Sequence, residues 1–117
     1  MNDQQYCRFK KMNQENISVL FTKIIKNNIF FLLKSGSGTN YKISIKSDTK
    51  KCGKIYCTCP DNKFNSNDKE CVCKHILYIL FKHLKMFKDL EHTFFKRRFF
   101  TPDEMQTIFK LQSRLTK

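Results

Sequence analysis

Two closely spaced pairs of cysteines constrain this chain more than any other feature of its sequence. C-x-C motifs occupy residues 57–59 and 71–73, and His75 follows the second motif. Thiolates and imidazole are the ligands that hold zinc tetrahedrally, at about 2.3 Å for sulfur and about 2.0 Å for nitrogen. Cysteines that act only as small buried hydrophobes rarely cluster in this way. The sequence therefore predicts a structural metal site that joins two segments of the chain.

The residues around the two motifs predict where the candidate ligands lie. Side chains two positions apart on an extended chain leave the same face, so Cys57 and Cys59 can approach one ion together. Pro60 favours the end of the strand at that point. Residues 60–72 are rich in Asn, Asp and Ser, which is typical of a loop, and a helical apolar pattern begins after Cys73. We therefore predict a ββα metal knuckle over residues 54–88.

The order of these motifs resembles the SWIM zinc finger, in which C-x-C, a loop and C-x-H lead into an apolar helix. Residues 57–61 (CTCPD) are similar to the start of that motif, and residues 73–77 (CKHIL) are similar to its end. The resemblance extends over roughly residues 13–112 and is to the SWIM domains found beside RING fingers and in some mitogen-activated protein kinase kinase kinases. It implies one zinc ion held by Cys57, Cys59, Cys73 and His75.

The family also implies a module for DNA or protein interaction and does not by itself imply catalysis. No RING-type array of cysteines follows, so ubiquitin-ligase activity is not implied. A second ligand set stays open, because Cys71 can replace His75 to give four thiolates, which also satisfy structural zinc. We expect His75→Ala to weaken zinc retention and Cys71→Ser to leave it intact if the set with His75 is the right one.

The second strong feature is positive charge. Lys and Arg number 23 against 10 Asp and Glu, a formal net charge of +13, which favours a polyanionic partner. Most of these residues are Lys, which contacts phosphate as a point charge, whereas Arg is the usual reader of guanine edges. We therefore expect nucleic acid, DNA before RNA, bound through its backbone with little sequence preference. The expected contacts are Lys42, Lys46, Lys82, Lys85, Lys96, Arg97 and Arg98.

The origin of the charge and the role of two tyrosines each allow a second interpretation. Abundant Lys, Asn and Ile are also what an AT-rich genome encodes, so part of the charge can be compositional. Tyr41 and Tyr56 lie near the predicted basic strand and can stack on bases, although tyrosine in a small protein more often packs in the core.

The leading functional hypothesis is a non-enzymatic zinc module that binds nucleic acid. The alternative is a protein-interaction adapter, linked to ubiquitin or signalling machinery, that docks through the last helix or through the phenylalanines of residues 94–100. We expect those rings to pack under the last helix, since large exposed apolar patches are uncommon. The sequence lacks four common catalytic motifs: the H-x-E/P-C-x-x-C pattern of zinc deaminases, H-E-x-x-H, a phosphate-binding Gly loop and a serine elbow. We therefore expect no enzyme activity and no small-molecule substrate.

Apolar periodicity predicts an α+β fold in one domain, residues 13–117, preceded by a basic arm at residues 1–12. A helix is predicted over residues 13–28, because apolar residues there follow helical spacing. Residues 29–33 and 41–46 predict a hairpin, residues 54–57 a third strand, and residues from 74 a helix of three to four turns. Thr101, Pro102 and Glu104 predict the capped start of a helix over residues 102–115.

The cellular location is predicted from two features: the short apolar runs and the first residues of the chain. The longest apolar runs are five and six residues, against the roughly 20 that span a bilayer, so no membrane partner is expected. The chain does not begin with the basic and then apolar order of a secretory signal. We therefore expect a reducing intracellular compartment, either the cytoplasm or the nucleus. If the protein is viral, the compartment is that of the infected cell.

Overall fold

The structure is a computed structural model that describes residues 3–47, 51–59, 73–88, 94 and 99–115. Within these ranges the elements are helix α1 (Asp3–Gln14), strands β1 (Ser18–Ile25), β2 (Asn28–Lys34), β3 (Asn40–Ser47) and β4 (Gly53–Cys57), helix α2 (Lys74–Tyr78), a π-helical turn (Ile79–His83) and helix α3 (Pro102–Leu115). The predicted α+β class is confirmed.

The sheet is an antiparallel meander with the strand order β1-β2-β3-β4. The predicted hairpin is confirmed as β2 and β3, in which Phe31 pairs with Ile43, and the predicted third strand is confirmed as β4. The prediction of three strands is wrong, because β1 adds a fourth along the free edge of β2. This extra strand widens the sheet on the side away from the cysteines.

Strand β1 replaces the helix that was predicted over residues 13–28. Its sequence, SVLFTKII, is rich in β-branched and aromatic residues, which favour a pleated strand over a helix. The strand pairs with β2 across a two-residue turn in which Lys26 has a positive φ of 55°. The helical spacing of the apolar residues was therefore misleading, because hydrogen bonding to β2 offered the segment a better partner than its own backbone.

Residues 1–12 were predicted to form a basic arm, and α1 corrects that prediction. Met12 is 1% exposed, and the ring of Phe9 packs edge-on against that of Phe81, with 5.0 Å between the ring centroids. Tyr6, Phe9 and Met12 recur at spacings of three, which is a helical stripe. The stripe is too short to stand out among polar neighbours, and the packing of Phe9 and Met12 against the rest of the chain stabilises the helix, whereas Tyr6 stays exposed.

The centres of the two sheet faces differ in burial. One face, here called the inner face, is covered by the helical layer and carries side chains that are at most 1% exposed: Ile29, Phe31, Leu33, Ile43 and Ile45. The other face, here called the outer sheet face, carries the side chains that alternate with these. Because successive side chains on a strand point to opposite faces, the cross-strand register assigns each residue to one face.

The helix after the second cysteine motif is shorter than predicted. Helix α2 passes directly into the π-helical turn, in which the Leu84 N–H donates to the Ile79 carbonyl at 2.8 Å. Lys85 then takes a left-handed conformation with φ of 53°, which ends the helix. The apolar pattern continues to Phe87, which is 6% exposed, but in non-helical chain.

Helix α3 matches its predicted bounds and its predicted cap. The Thr101 N–H donates to Glu104 Oε1 at 2.9 Å, and the Glu104 N–H donates to Thr101 Oγ1 at 3.2 Å, which together form a capping box. Phe94 and Phe100 are fully buried and stack at a centroid distance of 4.5 Å. Packing is therefore confirmed for these two phenylalanines. No helix among the described residues is long and apolar enough to cross a membrane.

Candidate metal centre

Strand β4 delivers the first two cysteines to the inner face. Cys57 ends the strand opposite Ile43, and the pairing continues beyond it through Thr58. The Thr58 N–H donates to the Lys42 carbonyl at 3.1 Å, and the Lys42 N–H donates to Thr58 Oγ1 at 3.0 Å. This continued pairing keeps the chain extended, so that Cys57 and Cys59 both face inward, as their spacing predicted.

Helix α2 delivers the other two candidate ligands from its first residues. Cys73 precedes the helix with an extended backbone, φ −71° and ψ 163°, and its thiol makes no capping hydrogen bond. Its carbonyl accepts from the Leu77 N–H at 3.1 Å, which fixes the start of the helix. His75 lies in the first turn and is buried with Ile76 and Leu77. The structure therefore places Cys73 and His75 at the helix start, where the sequence predicted them.

The four side chains converge on one point inside the protein. The sulfur atoms of Cys57, Cys59 and Cys73 and a ring nitrogen of His75 all lie within 4.8 Å of one another. Each residue is at most 4% exposed. The Cys57 Sγ to His75 Nδ1 distance is 3.8 Å, and donors around tetrahedral zinc would lie roughly 3.5–3.8 Å apart given their bond lengths. This buried cluster can hold one metal ion.

The electrostatics of the cluster favour a bound cation. The Cys59 thiol contributes most to the raised pKa of Cys57, the Cys73 thiol opposes it and burial adds to it, with the result that the pKa of Cys57 rises from 9.0 to about 12. Burial, followed by the thiols of Cys57 and Cys59, raises the pKa of Cys73 well above 9.0. Without a cation, the thiols of Cys57 and Cys73 therefore stay protonated at neutral pH. A metal ion would replace those protons, so its affinity should fall as the pH falls.

The imidazole of His75 is oriented by its surroundings. Its Nδ1 faces the sulfur of Cys57, whereas its Nε2 is buried and has no hydrogen-bond partner among the described residues. The ring packs against that of Tyr41, with centroids 4.5 Å apart and planes at 35°. Nδ1 is therefore the nitrogen that can serve as a ligand. Tyr41 belongs to this packing on the inner face, and its role as a base-stacking residue is not supported.

An ion pair ties α1 to the segment that carries the last two ligands. Lys74, between Cys73 and His75, donates from Nζ to Glu15 Oε1 at 2.5 Å. Both side chains remain about one-third exposed, at 29% and 31%, so solvent screens the pair and its contribution to stability is small. The pair nevertheless joins the end of α1 to the helix start that carries the cluster.

The remaining cysteines and histidines lie outside this cluster or outside the described residues. Cys7 is exposed and Cys52 is half-buried, and neither belongs to the group. His83 contacts Phe31 and Gln112 instead. Cys71 and His92 lie outside the described residues, so the ligand set with Cys71 stays open.

The predicted basic contacts divide between two sides of the protein. Lys42 and Lys46 are exposed on the outer sheet face, as their alternation with buried Ile43 and Ile45 predicted. Exposed Lys82 and Lys85 belong to the helical layer on the inner side. The two pairs therefore do not share one face. Lys96, Arg97 and Arg98 lie outside the described residues.

The outer sheet face also carries residues that the sequence reasoning missed. Phe21 is 54% exposed there, and Lys23 lies beside Phe30 on the neighbouring strand. Phe21 was assigned to the apolar face of a predicted helix, so its exposure was not foreseen. The alternation of apolar and polar residues from Thr22 to Ile25 is too imperfect to have revealed the strand.

The chain matches no protein-family model, no curated protein and no solved structure in comparisons with known proteins. The resemblance to SWIM zinc fingers therefore rests on the motifs around the four candidate ligands.

His83 leads to a prediction about pH. Burial lowers the pKa of His83 below its ordinary value of 6.5, and a hydrogen bond with Gln112 at 2.9 Å partly opposes this. The unfolded chain therefore binds more protons than the folded one just below pH 6.5, so the stability due to neutral His83 is present above pH 6.5 and lost as the pH falls. His83→Gln should lose less stability than the wild type between about pH 7 and about pH 5.5.

Thermal unfolding of both proteins with excess zinc at several pH values would measure this difference. Acid weakens metal binding in both proteins, so the comparison between them isolates the histidine. Equal losses in the two proteins would show that His83 contributes nothing to the pH dependence.

Proposed function

We propose that this protein is a SWIM-type zinc-binding module without enzymatic activity that binds nucleic acid, DNA before RNA, mainly through the phosphate backbone. The observation that carries the zinc assignment is the buried convergence of three thiols and one imidazole. Thiolate and imidazole donors in a tetrahedral arrangement suit zinc better than the oxygen-seeking ions calcium and magnesium. Cys57, Cys59, Cys73 and Nδ1 of His75 would hold the ion.

The number of donors supports a structural rather than a catalytic ion. A catalytic zinc has three protein ligands and keeps one position for water or substrate, whereas four protein donors close the coordination sphere. The donors here come from the end of β4 and the start of α2, so the bound ion would fasten the helical layer to the sheet. Zinc supplies this cross-link, and the surface of the protein binds the nucleic acid.

The charge on the strands supports nucleic acid as the partner. All lysines of the four strands are exposed on the outer sheet face, namely Lys23, Lys34, Lys42, Lys46 and Lys54. The strands contain no Asp or Glu. Such a surface attracts phosphates, and lysine carries no strong preference for base sequence. Binding would therefore be driven by release of counterions.

Binding across a salt series tests this proposal. The zinc-loaded protein, with one zinc per chain confirmed by metal analysis, is titrated against labelled DNA and RNA of unrelated sequences. Between roughly 50 and 200 mM salt, five phosphate contacts would reduce affinity about a hundredfold for a single strand and about five hundredfold for a duplex. Similar affinities for unrelated sequences are expected. A protein that binds no nucleic acid at low salt would contradict the proposal and favour the adapter hypothesis.

A further inference from the structure

The outer sheet face combines aromatic rings with the lysines in a way that packing does not explain. Tyr56 is 49% exposed and Phe21 is 54% exposed, whereas the side chains at the centre of the inner face are buried. Phe30 lies half-buried between their strands. Large exposed rings on a sheet face are uncommon, so two exposed rings beside a half-buried one on the same open face are a sign of a binding surface.

The strand register places these rings and the lysines side by side. One row across the sheet pairs Lys23 with Phe30, Phe30 with Ser44, and Ser44 with Tyr56. The small Ser44 side chain separates Phe30 from Tyr56 by two strand spacings, about 10 Å. The two ring positions are therefore separate, with little side-chain bulk between them.

The next row brings the third ring and another cation. Phe21 pairs with Leu32, which pairs with Lys42. The Lys42 ammonium lies over the Phe30 ring, 4.9 Å from its centroid. A ring face and a cation thus adjoin, and these are the two groups that bind the base and the phosphate of a nucleotide. Lys46 and Lys54 pair with each other farther along β3 and β4 and extend the positive charge.

Rings on an open sheet can reach only bases that are not already paired and stacked. In a duplex the flat faces of the bases are hidden, whereas a single strand can splay its bases onto aromatic side chains. Contact with the bases of a duplex would instead need a helix or a narrow ribbon that enters a groove. A broad four-stranded face with rings and lysines therefore suits a single strand.

We propose that the outer sheet face binds single-stranded nucleic acid, with bases stacked on Phe21, Phe30 and Tyr56 and phosphates contacted by the neighbouring lysines. This rests on the proposed function and adds the strand form and the site. The surface has no acidic residue on its four strands, so its charge complements a phosphate backbone rather than an apolar or basic partner.

The test compares single-stranded and duplex DNA with ring variants of the full zinc-loaded protein. Fluorescence anisotropy with a labelled oligothymidine and with a duplex of the same length would give both affinities. Tyr56→Leu and Phe21→Leu should each weaken single-strand binding about tenfold and leave duplex binding nearly unchanged. Tyr56→Phe, which keeps the ring, should bind like the wild type.

Tyr6 provides a matched control within the same chain. It is 44% exposed on α1, and the Lys10 ammonium lies 4.6 Å from its ring centroid, so it repeats the ring and cation pair away from the sheet. Tyr6→Leu should not change binding. The chain has no Trp, so tyrosine emission is a direct reporter: a single strand should quench it in the wild type and clearly less in Tyr56→Phe.

The outcomes separate this inference from the proposed function. If single strand and duplex bind equally and the ring variants behave like Tyr6→Leu, the stacking surface is overturned while backbone binding stands. If Lys42→Gln weakens both forms and lowers the salt slope by about one, the lysine contact is supported. If neither form binds at low salt, both proposals fail. Metal content and far-UV circular dichroism of each variant would confirm that the exposed substitutions leave the fold intact.

Discussion

Chelation of the metal from the zinc-loaded protein is expected to unfold the region around β4 and α2 before α1 and α3 lose structure. Zinc contributes about 10–16 kcal/mol in zinc-finger peptides, as much as or more than the about 5–15 kcal/mol that stabilises a whole domain. The ion would join the end of β4 to the start of α2 through the buried side chains of Cys57, Cys59, Cys73 and His75, so its removal breaks this cross-link.

Hydrogen exchange followed by mass spectrometry, with and without a chelator, would measure this loss. Amides of β4 and α2 should lose protection first, whereas β2 and β3, which carry much of the buried core, should lose it later. An unchanged exchange pattern in β4 and α2 after complete metal removal would contradict a structural role for zinc.

Single substitutions should distinguish metal ligands from residues that do not bind the ion. Cys73→Ser and His75→Ala should reduce zinc retention strongly, because each removes one of four donors from the buried cluster. Cys7→Ser is the matched control, since Cys7 is exposed and lies outside the cluster. Zinc content after dialysis is the measurement. If Cys71→Ser loses zinc while His75→Ala retains it, the four-thiolate set is the right one.

Replacing Gly53 with valine is expected to destabilise the fold by about 3 kcal/mol, and alanine by about 1–3 kcal/mol. A Cβ atom at Gly53 would lie 2.1 Å from the sulfur of Met105, a residue that is only 3% exposed. The Gly53 N–H also donates to the Phe100 carbonyl at 2.9 Å, and the Phe100 N–H donates to the Gly53 carbonyl at 2.7 Å. Phe100 directly precedes Thr101, the capping residue of α3. A side chain here would push α3 away from the edge of the sheet.

Gly36 is the matched control for this position. A Cβ at Gly36 would have ordinary contacts at 3.5–3.6 Å, so Gly36→Ala should change stability by less than about 0.5 kcal/mol. Urea unfolding followed by circular dichroism would measure each free energy. Met105→Ala in the Gly53→Ala background should cost less than the two single changes added together, because it relieves the clash. Equal stability of Gly53→Ala and Gly36→Ala would contradict the close packing of α3 on β4.

Local chemistry made several features predictable from the sequence. Cysteine spacing and the start of the following helix limit which donor atoms can meet, so the sequence pointed to Cys57, Cys59, Cys73 and His75 as candidates, with Cys71 as the alternative to His75. The turn between the residues of β2 and β3, and the Thr101 to Glu104 cap of α3, depend on neighbours close in the chain. Signals of this kind survive folding because their partners are local.

Other features depended on contacts between distant segments. Residues 18–25 became a strand because β2 was available to pair with them, and α1 formed because Met12 and Phe9 found an apolar surface to cover. Tertiary packing outweighs intrinsic propensity in such segments, because propensities differ by less than about 1 kcal/mol per residue.

The outer sheet face shows the same division. The sequence alone determined the positive charge, the alternation of Lys42 and Lys46 with Ile43 and Ile45, and the donor types of a candidate metal site. Only the tertiary structure decided that Phe21, Phe30 and Tyr56 share one open face, because that depends on the pairing of four strands and on which side the helices cover. Side chains that belong to different strands become a surface only when the register between the strands is set.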